Sequence, residues 1–162
     1  MALFSPYALG ATLYMPATRE DILEVVFVHK IPELRSLVVC LEDAVAPVDV
    51  DTALANLREV LLRIETVGGR PENGPLLFVR PRDAQMAAVL NDWPLMRHVD
   101  GFVVPKLSLG NLRSWENAVT NPALALMPTL ETPEVFSPVA MADLGQALKA
   151  SLDQRIIALR IG

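Results

Sequence analysis

An α/β fold with a parallel sheet is predicted by two features of this 162-residue sequence. Short apolar runs alternate with segments of helical periodicity along the chain, a pattern typical of successive strand–helix units. The run 37–41, Leu-Val-Val-Cys-Leu, contains no charged residue, as expected of a strand with both faces buried in a parallel sheet. We therefore predict six strands, each followed by a helix except the last.

The elements follow in a regular order. The predicted strands are residues 11–15, 36–41, 76–80, 101–105, 123–130 and 155–161. The predicted helices are residues 19–30, 50–67, 84–91, 109–119 and 134–150. Proline, glycine and short polar side chains set the boundaries: Pro16 stops the first strand, Thr18 and Asp83 are placed to cap helices, and Pro138 is a candidate break. The segment 68–75, rich in Gly, Pro and Asn, is predicted to be an exposed loop.

Composition restricts the class of protein. A hydrophobic fraction of 52% with 20% charged residues excludes a disordered chain, and the length suits one domain covering residues 1–162. The net charge of −5 argues against a nucleic-acid partner. Apolar runs of four or five residues fall far short of the roughly 20 that span a membrane, so no membrane partner is expected. The single cysteine, Cys40, predicts a small buried side chain and a reducing, cytoplasmic location.

Charged residues follow five successive predicted strands, and their signs are mixed. They are Arg19 after strand one, Glu42 and Asp43 after strand two, Arg80 and Arg82 after strand three, Lys106 after strand four and Glu131 after strand five. A doubly wound sheet would gather its ligand at one switch point, whereas a (β/α)8 barrel draws functional groups from the ends of many strands. The pattern favours the barrel, and a six-stranded doubly wound domain is the alternative.

Some of these residues have a plainer interpretation, because a charge just past a strand is often only a solvated loop residue. Arg19 could be a surface residue at a helix start, and Arg82 is expected to be ordinary surface. Lys106 could lay its stem over apolar neighbours. His29 and His98, near helix ends, are expected to be structural or exposed.

Carboxylates beside arginines suit a hard divalent ion and a small anionic, oxygen-rich substrate. Mg²⁺ prefers oxygen ligands and usually takes only one or two carboxylates, and arginine binds carboxylates through a rigid donor fork. A metal bound to a 2-oxo acid or thioester stabilises an enolate, which is what aldol and retro-aldol chemistry requires. The residue types alone would also permit phosphoryl transfer or simple anion binding.

The segment 41–47, Leu-Glu-Asp-Ala-Val-Ala-Pro, resembles the LEDAV-P segment of the citrate lyase β-subunit-like proteins in the HpcH/HpaI aldolase/citrate lyase superfamily. Weaker matches follow in the order of that family. They are residues 13–16, 78–80, 103–106, 130–132 and 159–162. The sequence of residues 14–19 resembles the corresponding segment of an aldolase/lyase-like branch that is found with bacterial stress-response genes.

This resemblance implies a (β/α)8 barrel with Mg²⁺-dependent, or other divalent-cation-dependent, carbon–carbon lyase activity on a hydroxy-acyl thioester or related 2-oxo or hydroxy acid. It implies that Glu131 is a metal ligand and that Arg80 holds the substrate. Glu42 and Asp43 would lie at the water network of the metal, Lys106 would line the floor, and Arg19 would be a further substrate-binding residue. Family members are often trimers or hexamers, so a homo-oligomer is expected.

The chain departs from the family in two places. Pro81 and Arg82 stand where the family usually has a hydrophobic residue and Asn, so a CoA thioester is only one of the possible substrates. The second metal carboxylate of the family follows the glycine of strand six, and the sequence ends at Gly162. We therefore expect the N-terminal three-quarters of a barrel, and a non-catalytic anion-binding or regulatory remnant is the alternative function.

Overall fold

The structure is a computed structural model that describes residues 5–28, 30–152 and 154–162. Its strands are β1 (Thr12–Pro16), β2 (Ser36–Cys40), β3 (Leu76–Arg80), β4 (Gly101–Val104), β5 (Ala125–Leu130) and β6 (Arg160–Ile161). Its α-helices are α1 (Ile22–Phe27), α2 (Val50–Thr66), α3 (Ala84–Asn91), α4 (Leu109–Ala118) and α5 (Pro138–Ser151). Short 3₁₀ turns cover Pro6–Leu9, Pro47–Asp49, Pro94–His98 and Pro133–Phe136.

The six strands form one parallel sheet in sequence order, from β1 at one side to β6 at the other. A doubly wound sheet reverses its strand order at a switch point, and this sheet has no reversal. The barrel prediction is therefore confirmed, and the doubly wound alternative is wrong.

The sheet is strongly curled. The guanidinium carbon of Arg160 on β6 lies 5.1 Å from the centre of the Tyr14 ring on β1. In a flat sheet, five strand spacings would separate these strands by roughly 24 Å, which is beyond the reach of an arginine side chain. The sheet therefore wraps around an interior lumen, as in a (β/α)8 barrel.

Alternation along the strands divides the core into two layers. One buried cluster inside the curl contains Val38, Phe78, Val103, Ala125 and Met127, which point into the lumen. Their neighbours along the strands, such as Leu37 and Leu77, pack outward against the helices in a larger cluster. Side chains thus fill the lower lumen, and polar groups are left to the carboxyl ends of the strands.

Local sequence signals, such as helix caps, predicted the position of most elements correctly. The predicted bounds of β3 and α3 match the structure, and Asp83 caps α3 by accepting a hydrogen bond of 2.8 Å from the backbone N–H of Met86. Pro138 begins α5 instead of breaking a helix, because Ser137 caps it there. His98 is partly buried, whereas His29 lies outside the described residues.

Several predicted elements are too long. The fifth strand begins at Ala125 and not at residue 123, and the fifth helix begins at Pro138 and not at residue 134, because a 3₁₀ turn covers Pro133–Phe136.

The first helix begins at Ile22 and not at Arg19, because Ala17, Thr18 and Glu20 lie in turns and Asp21 occupies the N-cap position assigned to Thr18. The sixth strand has only Arg160 and Ile161, not residues 155–161. Before it, a single bridge joins Ile156 to β5.

None of the helices in the described ranges is long and apolar enough to cross a membrane.

Candidate active site

Five of the predicted site residues meet at the carboxyl ends of β2 to β5. Glu42 and Asp43 follow β2, Arg80 ends β3, Lys106 follows β4 and Glu131 follows β5. The parallel register places Cys40 beside Arg80, so the residues after β2 lie next to the end of β3. We call these five residues the charged cluster.

Arg80 lies at the centre of the charged cluster. Its Nε is 2.9 Å from Glu42 Oε2, and its Nη2 is 2.6 Å from the same oxygen and 2.8 Å from Glu131 Oε1. Arg80 is 8% exposed and Glu42 only 4%, so water screens this ion pair poorly. Burial would lower the pKa of Arg80, but the charges of Glu42 and Glu131 outweigh it and raise that pKa. The guanidinium therefore stays charged and orients both carboxylates.

Lys106 is the second cation of the charged cluster, and it contacts the same carboxylates as Arg80. Its ammonium donates to Glu42 Oε1 and lies 3.3 Å from Asp43 Oδ1, while its backbone N–H donates to Glu131 Oε1 at 3.1 Å. The hydrogen bond with Glu42 is the main reason that the pKa of Lys106 is raised. Lys106 therefore acts as a fixed cation and not as a proton acceptor at neutral pH.

The backbone of Lys106 has a φ of +50°, in the left-handed region that non-glycine residues rarely adopt. The Asn111 side chain holds this conformation by donating to the Lys106 carbonyl at 2.8 Å, and it accepts from the Ser108 N–H at 2.9 Å. Strained backbone of this kind persists only where its surroundings fix it, and it is frequent at functional sites. Sequence reasoning missed Asn111.

Asp43 and Glu131 are the carboxylates with open positions. The Asp43 side chain is 69% exposed. Desolvation is the largest single influence and would raise the pKa of Asp43, but hydrogen bonds with Glu42 and Lys106, together with the Lys106 and Arg80 charges, hold it below its usual value. Glu131 Oε2 has no hydrogen-bond partner among the described residues, and a Cβ added to Gly162 would lie 2.5 Å from it. The Glu131 carboxylate thus packs directly against the backbone at the end of β6.

Arg82 is not an ordinary surface residue, so that expectation was wrong. Its Nη1 donates to the carbonyls of Leu41, Glu42 and Val45 at 3.3, 3.4 and 2.9 Å. The side chain therefore holds the turn that carries Glu42 and Asp43. The sequence contained a signal for this placement, because Arg82 lies two residues beyond Arg80 and alternate residues of an extended chain lie on one face.

Arg19 does not join the charged cluster. Its side chain is 55% exposed and forms a two-bond pair with Asp21, at 2.8 Å from Nε and 2.7 Å from Nη2. This placement does not support the predicted substrate-binding role, because the guanidinium is satisfied on the surface by a neighbour in sequence.

The cluster does not form a ready-made metal cage. In the parts of the chain that the structure describes, no group of three or more His, Cys, Asp or Glu side chains is arranged to hold an ion. What the geometry offers is a fixed pair of cations, a buried carboxylate and two carboxylates with open positions. Such a set can orient an anionic substrate and hold a cation through one or two oxygens.

A curled parallel sheet with helices outside and charged residues at its strand ends defines a partial (β/α)8 barrel with its functional groups at the carboxyl face. Residues 3–162 match the family model described as "C-C_Bond_Lyase of the TIM-Barrel fold". The chain belongs to this family, and the resemblance to the aldolase/citrate lyase superfamily is confirmed.

Among solved structures, the chain is similar to a malate synthase from Haloferax volcanii, determined as a lead(II) complex. The TM-score is 0.67 at 20% identity, and the match covers 93% of this chain. At this identity the likeness concerns the fold. The chain spans about half of that protein, since the match covers 49% of it. Curated protein sequences give no match.

Proposed function

We propose that the protein is a divalent-cation-dependent carbon–carbon lyase or aldolase acting on a small anionic 2-oxo or hydroxy acid, free or as a thioester. The observation that carries this proposal is the meeting of Glu131, Arg80, Lys106, Glu42 and Asp43 at the carboxyl ends of four adjacent strands. Family membership supports the reaction class, and the choice of Mg²⁺ and of substrate is our own inference.

The donor set fits a divalent cation held by few protein ligands. Glu131 Oε1 accepts hydrogen bonds from Arg80 and from the Lys106 N–H. Glu131 Oε2 has no hydrogen-bond partner among the described residues. Asp43 is exposed beside it in the cluster, and Mg²⁺ usually takes one or two carboxylates together with water and substrate oxygens. Glu131 would therefore hold the ion, with Asp43 as the second candidate. When bound, the ion would polarise a carbonyl and stabilise developing negative charge.

The residues of the chain would do the positioning. Arg80 and Lys106 both stay charged, so they attract the anionic substrate and favour negative charge that develops on it. Glu42, buried between them, keeps both cations in place. Arg82 holds the turn that presents Glu42 and Asp43. Preorganised charge of this kind needs no rearrangement during the reaction.

Titration with Mg²⁺ tests the proposal in the complete gene product. We expect Glu131→Gln to weaken Mg²⁺ binding at least about 10-fold, because a neutral amide removes a charged ligand. We also expect the variant to slow carbon–carbon cleavage by about 100–1,000-fold, as is usual when an electrostatic group is lost. Glu72→Gln, in the exposed loop before β3, is the matched control and should change neither. Unchanged Mg²⁺ binding by Glu131→Gln would refute the assignment.

A second candidate is a non-catalytic anion-binding module of the same family. It is favoured by the fact that Arg80 and Lys106 already pair with every carboxylate of the cluster. Under this alternative, small carboxylates would bind with an affinity independent of Mg²⁺, and no hydroxy-acyl or 2-oxo-acid substrate would be cleaved. Metal-dependent turnover would exclude it.

A further inference from the structure

The first turn of α4 contains a side chain that reaches back towards the charged cluster. Asn111 is the third residue of α4, and its amide has two partners in the segment before the helix. The amide oxygen, Oδ1, accepts from the N–H of Ser108 at 2.9 Å, and the amide nitrogen, Nδ2, donates to the carbonyl of Lys106 at 2.8 Å. These two hydrogen bonds have different consequences, because Ser108 belongs to the helix and Lys106 belongs to the cluster.

The hydrogen bond with Ser108 caps the helix. Ser108 is the N-cap residue of α4, and a side chain at the third helical position that accepts from the N-cap N–H is one half of a capping box. An aspartate at position 111 could accept the same hydrogen bond, since a carboxylate is an acceptor. The cap therefore needs only the oxygen of the Asn111 amide.

The hydrogen bond with Lys106 supports a backbone conformation on which the cluster depends. The φ torsion sets the angle between the N–H of a residue and its own side chain. In Lys106 a φ of +50° directs the backbone N–H to Glu131 Oε1, at 3.1 Å, while the ammonium donates to Glu42. Relaxation to the usual negative φ would turn these two donors apart, so that one of the two carboxylates would lose its contact.

The peptide group after Lys106 is held at both of its polar atoms. Its oxygen, the Lys106 carbonyl, accepts from Asn111, and its N–H, which belongs to Leu107, donates to the Thr129 carbonyl at 3.1 Å. A carboxylate at position 111 could not replace the first of these bonds, because an ionised carboxylate has no proton to donate. Since a strained residue persists only where its surroundings fix it, loss of the Asn111 donor should release Lys106.

We infer that Asn111 is a positioning residue that sets the affinity of Glu131 for the divalent cation. Through Lys106 it keeps a hydrogen bond on Glu131 Oε1, so that the carboxylate stays turned with Oε2 at the open position. Groups that orient a metal ligand commonly change metal affinity by about 10- to 100-fold when they are removed. The inference rests on the proposed function, which assigns the cation to Glu131, and it adds a role for the Lys106 backbone to that of the Lys106 charge.

Two substitutions in the complete gene product separate the cap from the positioning role. Asn111→Asp keeps the acceptor for Ser108 but cannot donate to Lys106, whereas Asn111→Ala loses both hydrogen bonds. We expect both variants to bind Mg²⁺ about 10-fold more weakly in isothermal titration calorimetry, and only Asn111→Ala to melt at a lower temperature. Asn117→Asp, at an exposed position of the same helix, adds the same charge and should leave Mg²⁺ binding unchanged. Unchanged Mg²⁺ binding in either Asn111 variant would overturn the inference.

Hydrogen exchange of the Lys106 N–H shows whether the effect passes through Glu131. That N–H donates to Glu131 Oε1, so its exchange, measured by NMR without Mg²⁺, should be at least about 3-fold faster in both Asn111 variants. Unchanged exchange beside weaker Mg²⁺ binding would also overturn the inference. Unchanged Mg²⁺ binding by Glu131→Gln would refute both proposals, whereas a loss in Glu131→Gln without a loss in the Asn111 variants would refute this inference alone.

Discussion

At the scale of single residues, the candidate site depends on carboxylates that each accept hydrogen bonds from two residues. Glu131 Oε1 accepts from both the Arg80 guanidinium and the Lys106 N–H, and Glu42 bridges the same two residues with its two oxygens. Glu42 therefore contacts both cations, and Arg80 contacts all three carboxylates of the cluster. Arg80 and Glu42 are both buried, so removing either one leaves a buried charge without its partner, which is strongly destabilising. Conservative, neutral substitutions such as Glu131→Gln are for this reason the informative ones.

Arg82 offers a test of how this geometry is supported. Replacing it with Met removes the donor from three backbone carbonyls of the turn that carries Glu42 and Asp43. Hydrogen bonds to a charged group contribute about 1.5–3 kcal/mol, so we expect Arg82→Met to lower the free energy of unfolding by about 2 kcal/mol. Urea unfolding measures this, and hydrogen exchange should show faster opening of residues 41–45.

Arg58→Met on the exposed face of α2 is the matched control for this prediction. Surface substitutions of this kind usually change stability by less than about 0.5 kcal/mol. If Arg82→Met were as stable as Arg58→Met, the turn would be held by other contacts, and Arg82 would be the surface residue that the sequence suggested.

The sequence predicted the members of the charged cluster better than their partners. Strand alternation was enough to place Glu42, Arg80, Lys106 and Glu131 at one edge, because the carboxyl ends of parallel strands coincide. The role of Arg82 depends on backbone carbonyls, which carry no sequence signal, and Arg19 was misjudged because Asp21 satisfies it locally. Side-chain identity thus predicts where charges lie, whereas pairing depends on the folded backbone.

At the scale of elements, the close approach of β4 and β5 depends on Gly101. A Cβ at this position would overlap the backbone of Ala125 on the neighbouring strand. Since neither strand can move without disturbing the lumen cluster, we expect Gly101→Ala to destabilise the protein by about 1–3 kcal/mol, the usual effect of overpacking. Thermal or urea unfolding measures the change.

Gly145 in α5 is the matched control for Gly101. An added Cβ there meets no atom within 4 Å, and alanine favours a helix interior over glycine by roughly 1 kcal/mol. Gly145→Ala should therefore stabilise the protein slightly. If both substitutions had the same sign, the difference in packing at the two glycines would not be the cause.

Elements with local signals were predicted closely, and elements shaped by distant contacts were not. The Asp83 cap is enough to start α3, and no other part of the chain alters it. The sixth strand was predicted too long because Arg155 donates to the carbonyls of Val119 and Leu124, at 2.6 and 3.0 Å. Burial there lowers the pKa of Arg155. These contacts tie the chain to the start of β5, and the pairing with β5 that follows is confined to a bridge and two residues.

At the scale of the whole molecule, the curl of the sheet brings its first and last strands together. Each strand pairs with its neighbour in sequence, so the curl brings β6 back to β1 and places Arg160 over Tyr14. The Tyr14 side chain also hydrogen-bonds Arg80, so the curl connects the last strand with the charged cluster.

The stability of the whole molecule in acid should depend on a pair far from this site. Asp21 accepts hydrogen bonds from Arg19 at 2.7 and 2.8 Å and from Lys30 at 2.9 Å, and chiefly the Arg19 bond lowers the pKa of Asp21 below its ordinary value of 3.8. A carboxyl whose pKa is lower in the folded state stabilises the protein fully above its unfolded pKa. That contribution is lost as the pH falls from about 4 through the folded-state value.

We therefore expect the free energy of unfolding to fall less steeply below pH 4 in Asp21→Asn than in the unchanged protein, because the amide does not titrate. Urea unfolding at half-unit pH intervals from 6 to 2.5 measures the slope, at low protein concentration because the pI is near 5.0 and uncharged protein associates. Asp51→Asn, an exposed carboxylate of α2 without an ion pair among the described residues, is the control. Equal slopes for Asp21→Asn and the unchanged protein would show that the Arg19–Asp21–Lys30 contacts do not persist in solution.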